Sequence, residues 1–91
     1  MYNYTTKVKD KVFLWGSDNV FERLDFSLFL TIHNDPYGDE IRIFKFDGSS
    51  DTDMGALRPG ECWTVPLSGL HGVYGLCDTD SAVNCVVAGL R

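Results

Sequence analysis

The sequence predicts an all-β domain, a small antiparallel β-sandwich or barrel of six to seven short strands. Three observations carry this expectation. Apolar and polar residues alternate at a period of two in several segments, and no helical stripe lasts beyond about two turns. Turn-forming residues recur at intervals of roughly eight to twelve. Of the 91 residues, 44% are hydrophobic and 13% aromatic, which is too apolar for a disordered chain.

The elements follow in order within a single domain, residues 1–91. Residues 1–11 read as an extended N-terminal arm, and Lys7, Lys9 and Lys11 with Asp10 as a solvated strand face. Val12–Trp15 and Val20–Leu24 read as strands joined through Gly16-Ser-Asp-Asn19, a good hairpin sequence. Phe26 to Ile32 places Phe26, Leu28, Leu30 and Ile32 on one face, with Phe29 an apolar exception on the other. Asn34-Asp-Pro-Tyr-Gly38 is a dense turn signal.

Ile41–Phe46 is the next strand, apolar on both faces. Ile41 and Ile43 are expected inward, with Phe44 and Phe46 at an interface. Asp47 to Asp53 is a loop by composition. Arg58-Pro-Gly-Glu61 is a turn in which Pro59 fixes φ and Gly60 supplies φ > 0. The strand Cys62–Leu67 contains Pro66, which cannot donate to a ladder, so it belongs at a sheet edge or a bulge. Val73–Asp78, a turn around Thr79–Val83, and Asn84–Leu90 complete the reading.

Size and charge exclude several functions. A chain this short buries roughly 60% of its unfolded surface, so partners, metals or disulfides often add stability. The formal net charge is −5 and the pI near 4.7, which disfavours nucleic acid as a partner. No apolar run is long enough for a membrane helix, so no membrane partner is expected. The opening MYNYTTKVKDK lacks the apolar centre of an export signal. Cys62, Cys77 and Cys85 therefore read as reduced thiols of a cytoplasmic product. A hairpin between Cys77 and Cys85 would set them opposite each other, able to cross-link under oxidation.

No catalytic constellation is visible. His33 and His71 have no companions at ligand or triad spacing, and no catalytic, metal or cofactor residues are assigned. Asp47, Asp51 and Asp53 share one loop, and Asp78 and Asp80 another, but neither follows an EF-hand pattern. The aromatic residues are in surplus for so small a core. Trp15, Phe29, Phe44, Phe46 and Trp63 are the candidate interface residues.

From Arg23 onward the order of motifs is specific enough to compare. A strand FSLFLTIHN is followed by IRIFKF, a polar loop, ALRPGECWTVPL, GVYGLC and NCVVAGL. This resembles the small β-sandwich decoration or cement proteins, and related head-fibre base domains, of tailed bacteriophage virions. The Asn34–Glu40 turn is longer than that pattern, and the chain ends in Leu90-Arg91 where an acidic residue is common.

The resemblance implies a non-enzymatic capsid decoration subunit, made in the host cytoplasm and placed on the capsid surface. Its implied partners are the major capsid protein and, as a homotrimer, its own copies. Three other readings stay open: a tail or fibre-attachment module, a small Ca²⁺- or carbohydrate-binding sandwich, and an acidic inhibitor of a host enzyme.

Overall fold

The computed structural model describes residues 2–16 and 27–90, and among them no helix occurs. Six strands form: β1 (Tyr2–Gly16), β2 (Ser27–Asn34), β3 (Ile41–Phe46), β4 (Asp51–Leu57), β5 (Cys62–Pro66) and β6 (Gly72–Leu90). They make one curled antiparallel sheet in the order β4-β3-β6-β2-β5, with β1 also paired to β6. The all-β expectation holds. Its strand boundaries require two corrections.

The larger concerns β6. Asp78-Thr-Asp-Ser81 has the composition of a turn, yet the chain runs through it as a single strand of 19 residues. β1 pairs with β6 on both sides of this segment, from Tyr2↔Val87 to Gly16↔Gly72. At the shift, Val8 faces Ser81 and Asp10 faces Cys77, so Lys9 alone is set against three residues. Asp10 takes φ 57°, the sole positive φ outside glycine among the described residues. A bulge of this kind bends the ribbon.

The bend brings the two arms of β1 together. The Tyr4 hydroxyl donates to the Leu14 carbonyl, ten residues away in the same strand. Along a straight strand those residues would stand about 33 Å apart. Residues 2–11 are thus half of a bent ribbon rather than an arm.

The second correction is β4. Only residues 47–50 form the loop, and Asp51–Leu57 pairs with β3 from Phe46↔Asp51 to Ile41↔Leu57. Asp, Gly and Ala are poor strand formers, but β3 supplies the ladder and an edge position tolerates the aspartates. Of the hairpin expected at Gly16, the first strand is present. Val12, Phe13 and Trp15 pair with Gly75, Tyr74 and Val73 of β6, while Val20–Leu24 lie outside the described residues.

Other expectations agree with the fold. β5, which carries Pro66, ends the strand order at an edge. Gly60 has φ 84° in the Arg58–Glu61 turn, closed by Glu61 N–H to Arg58 C=O at 3.0 Å. Ile41 and Ile43 are fully buried, whereas Phe44 and Phe46 are half-buried on the opposite face.

The bent ribbon carries β3 and β4 on one arm and β2 and β5 on the other, and both arms face one core. Val73 and Cys77 from the first arm meet Val83, Cys85 and Val87 from the second in the same cluster. Ile41, Ile43 and Leu57 join from β3 and β4, and Leu30, Ile32 and Val65 from β2 and β5. Odd-numbered residues of β6 point inward on both sides of the bend, as the two-residue period requires.

Cys77 and Cys85 both lie on this inner face of one strand, eight residues apart. The hairpin that would have paired them does not form. All three cysteines are free.

Candidate functional site

The outer face of the first arm carries a row of aromatic rings. Strand register builds it: Phe13 of β1 stands opposite Tyr74 of β6, Tyr74 opposite Phe44 of β3, and Phe44 opposite Asp53 of β4. Residues in register across neighbouring strands share a face, so three rings lie side by side. Phe44 stacks on Tyr74 with centroids 5.1 Å apart and planes 7° from parallel. Phe13 meets the other side of Tyr74 at 5.3 Å, tilted by 55°. Tyr74 is covered by its neighbours, while Phe13 remains 52% exposed.

Charge surrounds the row asymmetrically. On the β1 side the Lys11 ammonium lies 4.3 Å from the Tyr74 centroid and 5.5 Å from that of Phe13. Both distances fall within cation–π range. On the β4 side Arg42 Nε donates to Asp53 Oδ2 at 2.9 Å, and Asp53 Oδ1 accepts from Gly55 N–H at 2.8 Å. Both contacts hold the Asp53 carboxyl below its usual range, the Gly55 bond contributing most. Burial, then the bond to the Asp51 carboxylate, raises the Tyr74 phenol above its ordinary value.

The five candidate interface residues separate. Phe44 belongs to the row. Phe46 is half-buried beside it and meets the His71 ring edge-on at 6.2 Å and 89°. Phe29 is half-buried on the outer face of the other arm, in register with Pro66 and Ala88.

Trp63 is inward-facing, in register with Ile32, and packs against the core. Its ring tip lies over Gly55, so it bridges the β5 and β4 edges. Trp15 is a correction to the surface reading. It is 4% exposed within the core, because the shift between Phe13 and Trp15 turns it inward.

Phe13 and Lys11 are not among the interface candidates the sequence yields. The run Val12-Phe-Leu-Trp15 gives no clear alternation, so sequence alone does not say which of its rings is outermost.

The row and its rim offer ring stacking, cation–π contact and an ion pair. Among the described residues no three His, Cys, Asp or Glu side chains converge as a metal site. The Asp-rich loop spends its carboxylates locally. Asp47 Oδ1 accepts from Ser49 N–H and Ser50 N–H at 3.0 and 2.9 Å, which holds its pKa down at about 2. Asp53 is engaged by Arg42.

No family model matches the chain, and no curated protein matches it. Among solved structures the chain is similar to CooA from Carboxydothermus hydrogenoformans. A double-mutant form gives a TM-score of 0.48 at 8% identity over 92% of this chain and 48% of that one. The imidazole-bound form of the same CO-dependent transcription factor gives 0.47 at 8% identity, over 92% and 33%. The chain thus spans less than half the length of either, and the likeness carries no functional argument.

Proposed function

We propose that this chain is a non-enzymatic interaction module, a virion decoration subunit that buries its outer aromatic face against protein neighbours on a capsid. The observation that carries the interaction reading is the Phe13–Tyr74–Phe44 row, which lies outside the core with one ring 52% exposed. Aromatic anchors dominate protein interfaces, and a row pre-stacked on a sheet loses little freedom on docking. The virion itself enters through the order of sequence motifs alone.

Such a subunit would act by covering boundaries between capsid proteins. Apolar burial contributes roughly 25 cal/mol per Å² before the costs of association are subtracted. Many identical contacts on one shell then sum by multivalency.

The test uses particles produced from the genome that encodes the chain. Banded particles should contain the chain in stoichiometric amounts, and a Phe13→Ser, Phe44→Ser variant should be depleted by about tenfold or more. A chain abundant in the producing cells but absent from purified particles sinks the virion reading.

A further inference from the structure

Two large hydrophobic side chains stand out as exposed among the described residues, Phe13 at 52% and Tyr37 at 96%. Their electrostatic surroundings are opposite. Phe13 sits beside the Lys11 ammonium, which forms no ion pair among the described residues. Tyr37 projects from the turn between β2 and β3, within the run Asp35-Pro-Tyr-Gly-Asp-Glu40. Its neighbours Asp35, Asp39 and Glu40 form no ion pair among the described residues either.

The turn is held in place before any contact is made. Tyr37 N–H donates to Asp35 Oδ1 at 3.0 Å, and Gly38 N–H to Asp35 C=O at 2.9 Å. Asp39 is tied to the bend of β6 through its N–H to Ser81 Oγ, 3.1 Å, and Thr79 Oγ1 to its carboxylate, 2.5 Å. Presenting Tyr37 therefore costs little additional order on binding.

We propose that these two features meet in a second copy of the chain: Tyr37 of one subunit docks on Phe13 and Lys11 of the next, with Glu40 facing Lys11. Symmetric pairings are disfavoured, because Phe13 against Phe13 sets Lys11 against Lys11, and Tyr37 against Tyr37 sets acid against acid. The contact is thus head-to-tail, which closes into a ring where the rotation permits and otherwise runs on as a chain. The inference rests on the reading of the aromatic row as an interface, and it names one of the neighbours.

Sedimentation equilibrium in reducing buffer tests it without any particle. The mass should rise above 10.2 kDa with concentration. Tyr37→Ala and Lys11→Glu should each weaken association by about tenfold or more, while Tyr37→Phe retains it. Lys11→Glu and Glu40→Lys should each be monomeric alone and associate when mixed, because the mixture restores opposite charges. Circular dichroism confirms that each variant is folded.

A wild-type chain that stays at 10.2 kDa up to about 1 mM overturns the proposal. So does an oligomer indifferent to Tyr37 and Lys11, or a mixture that fails to associate. Since no capsid is present, failure here leaves the particle experiment to decide the virion reading separately.

Discussion

The Ser81 hydroxyl donates to Asn34 Oδ1 at 2.6 Å, joining two buried side chains 47 residues apart. The same Asn34 donates through Nδ2 to the carbonyls of Leu57, 3.0 Å, and Asp39, 2.7 Å. Its backbone N–H reaches Glu61 C=O, and its C=O receives Gly60 N–H, both at 3.0 Å. One buried amide therefore ties the end of β2 to the end of β4, the Pro-Gly turn and the bend of β6. Every polar group of the Asn34 side chain is used, which is what makes its burial affordable in free energy.

Breaking this knot should be costly. Asn34→Ala leaves two carbonyls and a hydroxyl without their partner, and should destabilise by about 3 kcal/mol. Ser81→Ala should cost less, about 1–2 kcal/mol. The double variant should fall short of the sum, because the two share one bond. Urea unfolding of the four proteins measures the coupling, and simple additivity would contradict the structure.

Gly75 tests the bend by crowding. A Cβ at this inner-face position would lie 2.9 Å from Ile41 Cγ2 and 3.4 Å from Val8 Cγ1. Gly75→Ala should therefore lower stability by about 1–3 kcal/mol through overpacking. In a domain of this size each kcal/mol corresponds to roughly 4–8 °C in Tm. An unchanged Tm would mean that Val8 and Ile41 do not close over Gly75.

Acid should weaken the β3–β4 loop in a defined window. The Asp47 carboxyl is lowered from 3.8 to about 2, first by the Ser49 and then by the Ser50 backbone bond. A depressed carboxyl favours the fold while ionised, so its contribution is present above about pH 4 and lost as pH falls through 2. Asp39 and Asp53 shift in the same direction. Asp47→Ala should lower Tm at neutral pH and flatten its decline between about pH 4 and 2. Thermal melts across that range decide it.

The thiols should react in sequence. Cys62 is exposed on edge strand β5, while Cys77 and Cys85 are buried. Burial raises the Cys85 thiol from 9.0 to about 11, despite a hydrogen bond with Tyr4 that acts the other way. Its protonated form favours the fold, so that contribution is intact below pH 9 and is lost as pH rises toward 11. A thiol reagent at pH 8 should label Cys62 rapidly and the other two only on unfolding. Mild oxidation should not join Cys77 to Cys85. Finding that disulfide in folded protein would mean β6 is not continuous.

Outer-face rings should separate folding from binding. Phe44→Ala removes a ring stacked on Tyr74 and should cost about 1–2 kcal/mol. Tyr37→Ala, at a fully solvated position, should change stability by less than about 0.5 kcal/mol. Comparing their melts with their effect on association distinguishes a packing role from a contact role.

The sequence by itself determined the fold class and the division of the regular strands into two faces. A two-residue period is local, so Ile41 and Ile43 on one face with Phe44 and Phe46 on the other could be read from six consecutive positions, while burial of the isoleucine face is set by packing. Pro66 marked an edge because a missing N–H is a property of one residue, and Gly60 marked a turn because φ > 0 is too. Tertiary structure alone decided that Asp78–Ser81 bends a strand instead of ending it, since a polar bulge and a turn have the same composition and differ only in what β1 pairs with. It also made a strand of Asp51–Leu57, turned Trp15 inward by a register shift, and brought Phe13, Tyr74 and Phe44 into one row. Those outcomes depend on pairings between residues as far apart in sequence as Val8 and Ser81, and local propensity carries no record of register.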